Sequence, residues 1–221
     1  MSASGEANLV EVFASAQGEG PYVGVATVFV RLGGCDLRCA WCDSPTTWLP
    51  ARRARIEQAP GSAEFATRDN PVSLDDVDAA VGALAPPGHG FVSLTGGEPL
   101  LQPEVVLGLA ARASARGLSP YLETHGVDGD ALRAVAHAID VVSRDWKLAS
   151  DVERAKPVPG EPAGFDALHA AFLGLAAADA GEVFVKAVVT PSTRDDEVDR
   201  MVAAIVEVAP ATLLVLQPVT P

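Results

Sequence analysis

The sequence predicts an α/β protein built on a parallel sheet. Short β-branched apolar runs alternate along the chain with segments whose apolar residues recur at helical spacing. The connections between successive strands have the length of ordinary crossovers. With 221 residues, 48% of them apolar, the chain can bury a substantial core.

The elements follow in order. "ATVFVRL" (26–32) is β-branched and apolar, a buried strand. Residues 33–44 hold the cysteines, and the polar stretch 45–72, with its arginines and prolines, reads as a long loop or small insertion. "SLDDVDAAVGAL" (73–84) opens on a Ser N-cap with early acids and continues as a helix. "GFVSLTGG" (90–97) is a strand ending in glycines, and "PEVVLGLAARASARG" (103–117) a helix stopped by glycine. "SPYLET" (119–124) and "IDVVSRD" (139–145) are strands flanking a helix over 128–138. A helix over 165–181, the strand "EVFVKAVVT" (182–190), a helix over 194–209 and the strand "ATLLVLQPV" (211–219) complete the chain. No internal repeat is visible, and one domain over 1–221 is expected. Ligands of parallel sheets sit at the C-terminal strand ends. Cys35, Gly96–Gly97, Glu123, Asp145–Lys147 and Gln217 all follow such ends.

Composition excludes several classes. Twenty-nine acidic against 16 basic residues give a net charge of −13, which lacks the basic footprint of a nucleic-acid binder. The N-terminus has no basic start with an apolar run, so it is not a secretory signal. The least polar stretch, 167–180, is too short to span a membrane. A cytoplasmic protein with no membrane or nucleic-acid partner is expected.

All three cysteines, Cys35, Cys39 and Cys42, lie in "GGCDLRCAWCDS" with C-x3-C-x2-C spacing. An odd, tightly clustered set is not a disulfide framework. Clustered thiolates select zinc, copper(I) or iron–sulfur. Zinc needs a fourth ligand, for which His125 is the candidate among His89, His125, His137 and His169. An iron–sulfur cubane on three thiolates leaves one iron open to a ligand, which is chemistry rather than electron storage. Inert buried thiols are the bland alternative.

The motif, with its aromatic before the last cysteine, resembles the radical S-adenosylmethionine enzymes. "TGGEP" (95–99) resembles that family's glycine-rich segment. The resemblance implies a 4Fe–4S cluster on Cys35, Cys39 and Cys42, with S-adenosylmethionine on the fourth iron as the source of a hydrogen-abstracting radical. Gly97 and Glu98 would hold the cofactor's amino group, although GGEP alone is also a tight turn.

Within that superfamily the chain resembles the 7-carboxy-7-deazaguanine synthases. It carries "QGEG" (17–20), "FVR" before the cysteines, "CDS" after them, then "TGGEPLLQ", "LETHG" and "LQPV" in the family's order. The implied reaction is ring contraction of 6-carboxy-5,6,7,8-tetrahydropterin to 7-carboxy-7-deazaguanine with loss of ammonia, a carbon–nitrogen lyase step of 7-deazapurine (queuosine) biosynthesis. Implied substrate contacts are Ala16, Gln17, Gly18, Glu19, Arg31, Thr95 and Glu123. Implied cofactor contacts are Trp41, Cys42, Asp43, Gly97, Glu98, Asp145, Trp146, Lys147, Gln217, Pro218, Val219 and Thr220. Ser44 stands where the family places a hydroxyl on magnesium. An electron donor such as flavodoxin and a homodimer are also implied.

Plainer readings stand beside these. "QGEG" is also a surface turn, Arg31 a structural partner of Glu19 or Glu123, and Glu123 a strand-end cap. Lys147 is also a solvated lysine and Ser44 a helix N-cap. The chain departs from the family at "DWK" (145–147) and at His125, and it ends at "LQPVTP", so a C-terminal segment that completes the pocket is expected to be missing from it. The alternatives in function are a glycyl-radical activating enzyme, which would lack QGEG, and a non-catalytic three-cysteine metal module. The expected fold is a partial, open parallel β/α barrel of about six strands, of the radical SAM type. A full eightfold barrel takes about 250 residues.

Overall fold

The computed structural model describes residues 5–85, 90–161 and 164–219. In chain order its strands are β1 (Glu6–Ala7), β2 (Leu9–Ala16), β3 (Ala26–Leu32), β4 (Leu37–Cys39), β5 (Arg53–Glu57), β6 (Phe65–Asp69), β7 (Val72–Ser73), β8 (Phe91–Gly96), β9 (Ser119–Thr124), β10 (Val141–Asp145), β11 (Val152–Arg154), β12 (Glu182–Val189) and β13 (Leu213–Pro218). The helices are α1 (Leu74–Leu84), α2 (Pro103–Ala115), α3 (Gly129–Val135), α4 (Asp166–Asp179) and α5 (Asp195–Val208).

Among the described residues, nine strands form one sheet in the order β13-β12-β10-β9-β8-β3-β2-β5-β6. β3, β8, β9, β10, β12 and β13 are mutually parallel, which matches the expected number of barrel strands. Their outward side chains, such as Val30, Leu94, Leu122 and Val142, are fully buried against the helices. Each such side chain contributes roughly 1.5–3 kcal/mol by leaving water. The helices pack in sequence, α1 on α2, α2 on α3, α3 on α4 and α4 on α5.

Inward side chains form two layers. The floor is apolar: Phe91, Tyr121, Val141 and Phe184 cluster there, with Tyr22 edge-on to Phe91 at 4.9 Å. Two residues further along each strand the layer turns polar, with Ser93, Glu123, Ser143 and Lys186. Among the described residues the sheet does not close: the outer edge of β13 has no strand partner, and Leu213 and Leu216 are each 50% exposed there.

Two parts of the sheet depart from expectation. β2 lies antiparallel to β3 with a register shift between Leu9 and Glu11. Its apolar pattern is broken by Glu11, which pairs with Arg31 and Arg55, and by Ser15, which is exposed at the cavity rim. The stretch 45–72 is more than a loop: β5 and β6 form a hairpin that extends the sheet beyond β2. Glu57 anchors it, accepting from Ala14 N at 2.8 Å and Ala63 N at 2.9 Å. Arg55 covers the Phe65 ring at 4.4 Å and pairs with Glu11 at 2.7 Å. The helix expected over 128–138 is α3 followed by a 3₁₀ turn over Ala136–Ala138. No helix among the described residues is long and apolar enough to cross a membrane.

The N-cap of α1 is the one expected: Ser73 Oγ accepts from Asp76 N at 3.1 Å. Replacing Ser73 with alanine should cost about 1 kcal/mol, read as a lower urea midpoint at unchanged slope.

Candidate active site

A cavity of about 1010 Å³ opens at the C-terminal ends of the parallel strands. One wall is the cysteine loop. Cys35, Cys39 and Cys42 are free thiols, partly exposed, and all three line the cavity. Three features of the backbone hold the loop there. Gly34 N and Cys35 N donate to Thr47 O (2.8 Å) and Trp48 O (3.2 Å). β4 pairs antiparallel with β11, a two-stranded ladder that the sequence did not suggest. Arg38 Nη1 donates to the carbonyls of Cys35 (3.0 Å) and Leu37 (2.7 Å), with its guanidinium over the Trp48 ring.

The double glycine makes the closest approach. Gly96 has φ +131, and a Cβ on it would lie 2.1 Å from Leu32 O. A Cβ on Gly97 would lie 2.1 Å from Gly34 O and 2.8 Å from Thr47 O. Both clashes are with backbone, so no side chain can yield, and glycine is the residue that fits. Gly97 N donates to Leu32 O (3.0 Å) and Glu98 N to Gly34 O (2.8 Å). The end of β8 thus runs against the root of the cysteine loop.

Glu98 differs from the sequence reading. Its carboxylate does not line the cavity and is 1% exposed. It accepts from Leu100 N (2.9 Å), Thr124 Oγ1 (2.8 Å) and His125 N (2.8 Å). With its oxygens committed to protein donors, the side chain is a clasp between the loop after β8 and the end of β9. Trp146 is a second correction. Its ring is 1% exposed in the core beside α4 and α5, and it does not line the cavity. Thr220 lies outside the described residues, as does His89.

His125 is set between carboxylates. Nε2 is 2.7 Å from Asp36 Oδ1, and Nδ1 is 3.2 Å from Glu98 Oε2 but off-angle for a hydrogen bond. With both ring nitrogens turned to acids it does not serve as a fourth thiolate-site ligand. No group of three or more His, Cys, Asp or Glu among the described residues is arranged for a single metal ion. Arg154 completes the hold on Asp36 and also binds Glu161 at 2.5 Å. Burial pushes the Cys35 thiol up to about 12, eased by the Leu37 backbone and reinforced by Glu98. Burial also raises Cys39, against the pull of Lys147. A metal entering this loop therefore displaces protons. Three soft, unpaired sulfurs facing a common cavity, with His125 committed elsewhere, fit an iron–sulfur cluster with one open coordination position.

The opposite wall is polar. Gln17 is buried, not a free surface turn: Nε2 donates to Glu123 Oε1 (3.0 Å), and Oε1 accepts from Gly18 N and Glu19 N. Glu123 also accepts from Ser93 Oγ (2.9 Å) and Thr95 Oγ1 (2.8 Å). Ala16, Gly18 and Glu19 complete this strap. Arg31 does pair structurally, but with Glu11 at 3.0 Å rather than Glu19 or Glu123. Its Nη1 is 3.4 Å from Ser44 Oγ. Ser44 does not cap the following 3₁₀ turn through its side chain; its hydroxyl donates to Asp43 Oδ1 at 3.0 Å on the cavity wall.

Between the walls, Asp145 binds Lys147 and Lys186. Lys147 is buried, with Nζ 4.4 Å from the centre of the Trp41 ring, so it is not a solvated lysine. Burial favours the neutral acid at Asp145, but the two ammoniums outweigh it and hold the carboxyl well below its ordinary range. Gln217, Pro218 and Val219 from the end of β13 close this side. Lys186 escaped the sequence reading. The signal was there: a single cation in the apolar run "EVFVKAVV" has to be paired.

Three thiols on one wall of a strand-end cavity, in an open parallel barrel, define a metal-cluster enzyme of the radical SAM class. A family model of the Radical SAM superfamily matches residues 29–151. The 7-carboxy-7-deazaguanine synthase of Geobacter sulfurreducens is 40% identical over 217 residues, covering 97% of this chain and 82% of that protein. The synthase of Methanopyrus kandleri is 42% identical over 146 residues, a match that covers 65% of this chain and 58% of that one. The chain belongs to the 7-carboxy-7-deazaguanine synthase family of the radical SAM superfamily. The fold is shared with the crystal structure of QueE from Escherichia coli, at TM-score 0.63 and 22% identity over 97% of this chain and 85% of that one. It is shared also with anSMEcpe bearing bound AdoMet, at TM-score 0.54 and 16% identity over 85% and 49% of the two chains. With the family come a 4Fe–4S cluster and S-adenosylmethionine.

Glu98 supplies the test of this geometry. Glu98→Ala leaves three buried donors without an acceptor and should cost about 3 kcal/mol or more. Glu98→Gln, which keeps one carbonyl acceptor, should cost less in the same thermal or denaturant titration.

Proposed function

We propose that this chain converts 6-carboxy-5,6,7,8-tetrahydropterin to 7-carboxy-7-deazaguanine with loss of ammonia. The observation that carries the reading is one cavity with free thiols on one wall and a hydrogen-bonded Gln17–Glu19–Glu123 wall opposite. When bound, the cluster and S-adenosylmethionine supply a hydrogen-abstracting radical.

The chain's own residues orient the two ligands. Cys35, Cys39 and Cys42 would hold the cluster, while Trp41, Gly97, Asp145, Lys147 and the 217–219 segment would hold the cofactor. Gln17, Glu19 and Glu123 suit the donor-rich edge of a pterin, since Glu123 has three of its roughly four acceptor sites filled and keeps one. Arg31, braced by Glu11, keeps N–H groups for the substrate carboxylate. Asp43 and Ser44 would offer oxygens to magnesium, which would stabilise negative charge on the substrate. The apolar floor of Phe91, Tyr121 and Phe184 keeps water from below the reacting ring. The same reading carries a one-electron donor such as flavodoxin, a homodimer and a cytoplasmic location.

The test is anaerobic incubation of the cluster-loaded protein with S-adenosylmethionine, magnesium and the carboxytetrahydropterin. The expected product is 7-carboxy-7-deazaguanine; cofactor cleavage without it overturns the substrate assignment. Cys39→Ala should abolish cleavage. Arg31→Met should raise the KM for the pterin about tenfold or more, the loss expected for a charge-assisted hydrogen bond, with cofactor affinity retained.

A further inference from the structure

Lys186 stands on the inner face of β12, 9% exposed, at the register position opposite Asp145 of β10. Its ammonium makes two ion pairs in different directions. One is with Glu19 Oε2 on the strap after β2. The other is with Asp145 Oδ1, at 3.2 Å. Asp145 turns its other oxygen to Lys147, which lies over Trp41 between Cys39 and Cys42. The result is a chain of alternating charge, Glu19, Lys186, Asp145, Lys147, that crosses the cavity from the strap to the cysteine loop.

The links are unequal. The side chains of Lys147, Lys186 and Asp145 are 7%, 11% and 18% exposed, whereas that of Glu19 is 34% exposed. Glu19 sits on no regular element, and Gln217 Nε2 donates to its other oxygen at 2.9 Å. Beyond it, Gly20 presses on the Phe184 ring, where a Cβ would come within 2.6 Å. Glu19 is thus the link a ligand can engage from the open side, and Asp145 the link that faces the cofactor half. Burial alone would lower the Lys186 ammonium, but Asp145 and Glu19 outweigh it and the net shift is upward, so the lysine stays charged.

We propose that Lys186 is a positioning residue that couples the two halves of the cavity, sharing one ammonium between Glu19 on the substrate side and Asp145 on the cofactor side. A ligand that draws Glu19 away leaves the whole charge of Lys186 on Asp145. Asp145 is then a weaker acceptor for the cofactor, and a ligand that engages Asp145 acts on Glu19 in return, since such coupling is reciprocal. The assignment of the two halves rests on the function proposed above.

The experiment is a double-mutant cycle on the dissociation constant of S-adenosylmethionine, measured by anaerobic equilibrium dialysis of the cluster-loaded protein. E19Q removes the competing charge from Lys186 and should weaken cofactor binding about fivefold, the low end of ordinary coupling between sites. In a K186M background E19Q should have no effect. K186Q, which keeps a donor without the charge, should give the same null and serves if K186M does not fold; K186R should preserve the fivefold response. An E19Q protein with wild-type affinity, or an equal E19Q effect with and without the lysine, overturns the proposal. These measurements need no pterin. A wild-type protein that makes no 7-carboxy-7-deazaguanine therefore overturns the substrate assignment alone.

Discussion

The contact between Gly96–Gly97 and the root of the cysteine loop is the constraint on which the site depends. Backbone meets backbone there, at a separation no Cβ permits. Everything else about the loop follows from that height. The thiols line the cavity at the C-terminal strand ends, and Gln17, Gly18 and Glu19 of the strap line the same cavity. The glycines thus serve the fold first: the ligand they bring the chain close to is the protein's own carbonyls, and any bound molecule is placed as a result.

Around that contact, buried acids act as fasteners. Glu98 gathers Leu100 N, Thr124 Oγ1 and His125 N, and His125 passes the hold to Asp36 beside the first cysteine. Glu57 does the same for the β5–β6 hairpin, and Glu123 for the strap. Each accepts from several neutral donors, so its oxygens are satisfied within the protein. Glu98 and Glu57 satisfy backbone N–H groups of the connections they hold, and Glu123 holds the strap through the Gln17 side chain.

The six parallel strands were legible because both of their faces obey simple patterns. Outward residues are apolar except for Thr124 and Arg144, which bond to Glu98 and His169, and the inner polar ones sit near strand ends where the run was already closing. β2 was not legible, since Glu11 and Ser15 read as a break until β3 is known to lie alongside. The partner of Arg31 was missed for the same reason: Glu11 is reachable only across that pairing. Glu98 was read as a ligand group because sequence does not distinguish a carboxylate turned toward backbone amides from one turned toward a cavity. Trp146 was placed by its neighbours in "DWK", but strand alternation puts its ring opposite Asp145 and Lys147. The cysteines stand close together in the sequence, so their grouping was legible there, while the choice among metals rested on the resemblance and on where His125 turns.

Among the described residues the sheet is open between β13 and β6. In a closed barrel, strand number and stagger together fix the radius. The described sheet is not held by that condition, so its curvature rests on the side chains packed on its two faces: the Phe91, Tyr121, Val141 and Phe184 layer inside and the Val30, Leu94, Leu122 and Val142 layer under the helices. The core that stabilises this sheet also shapes the cavity at its strand ends.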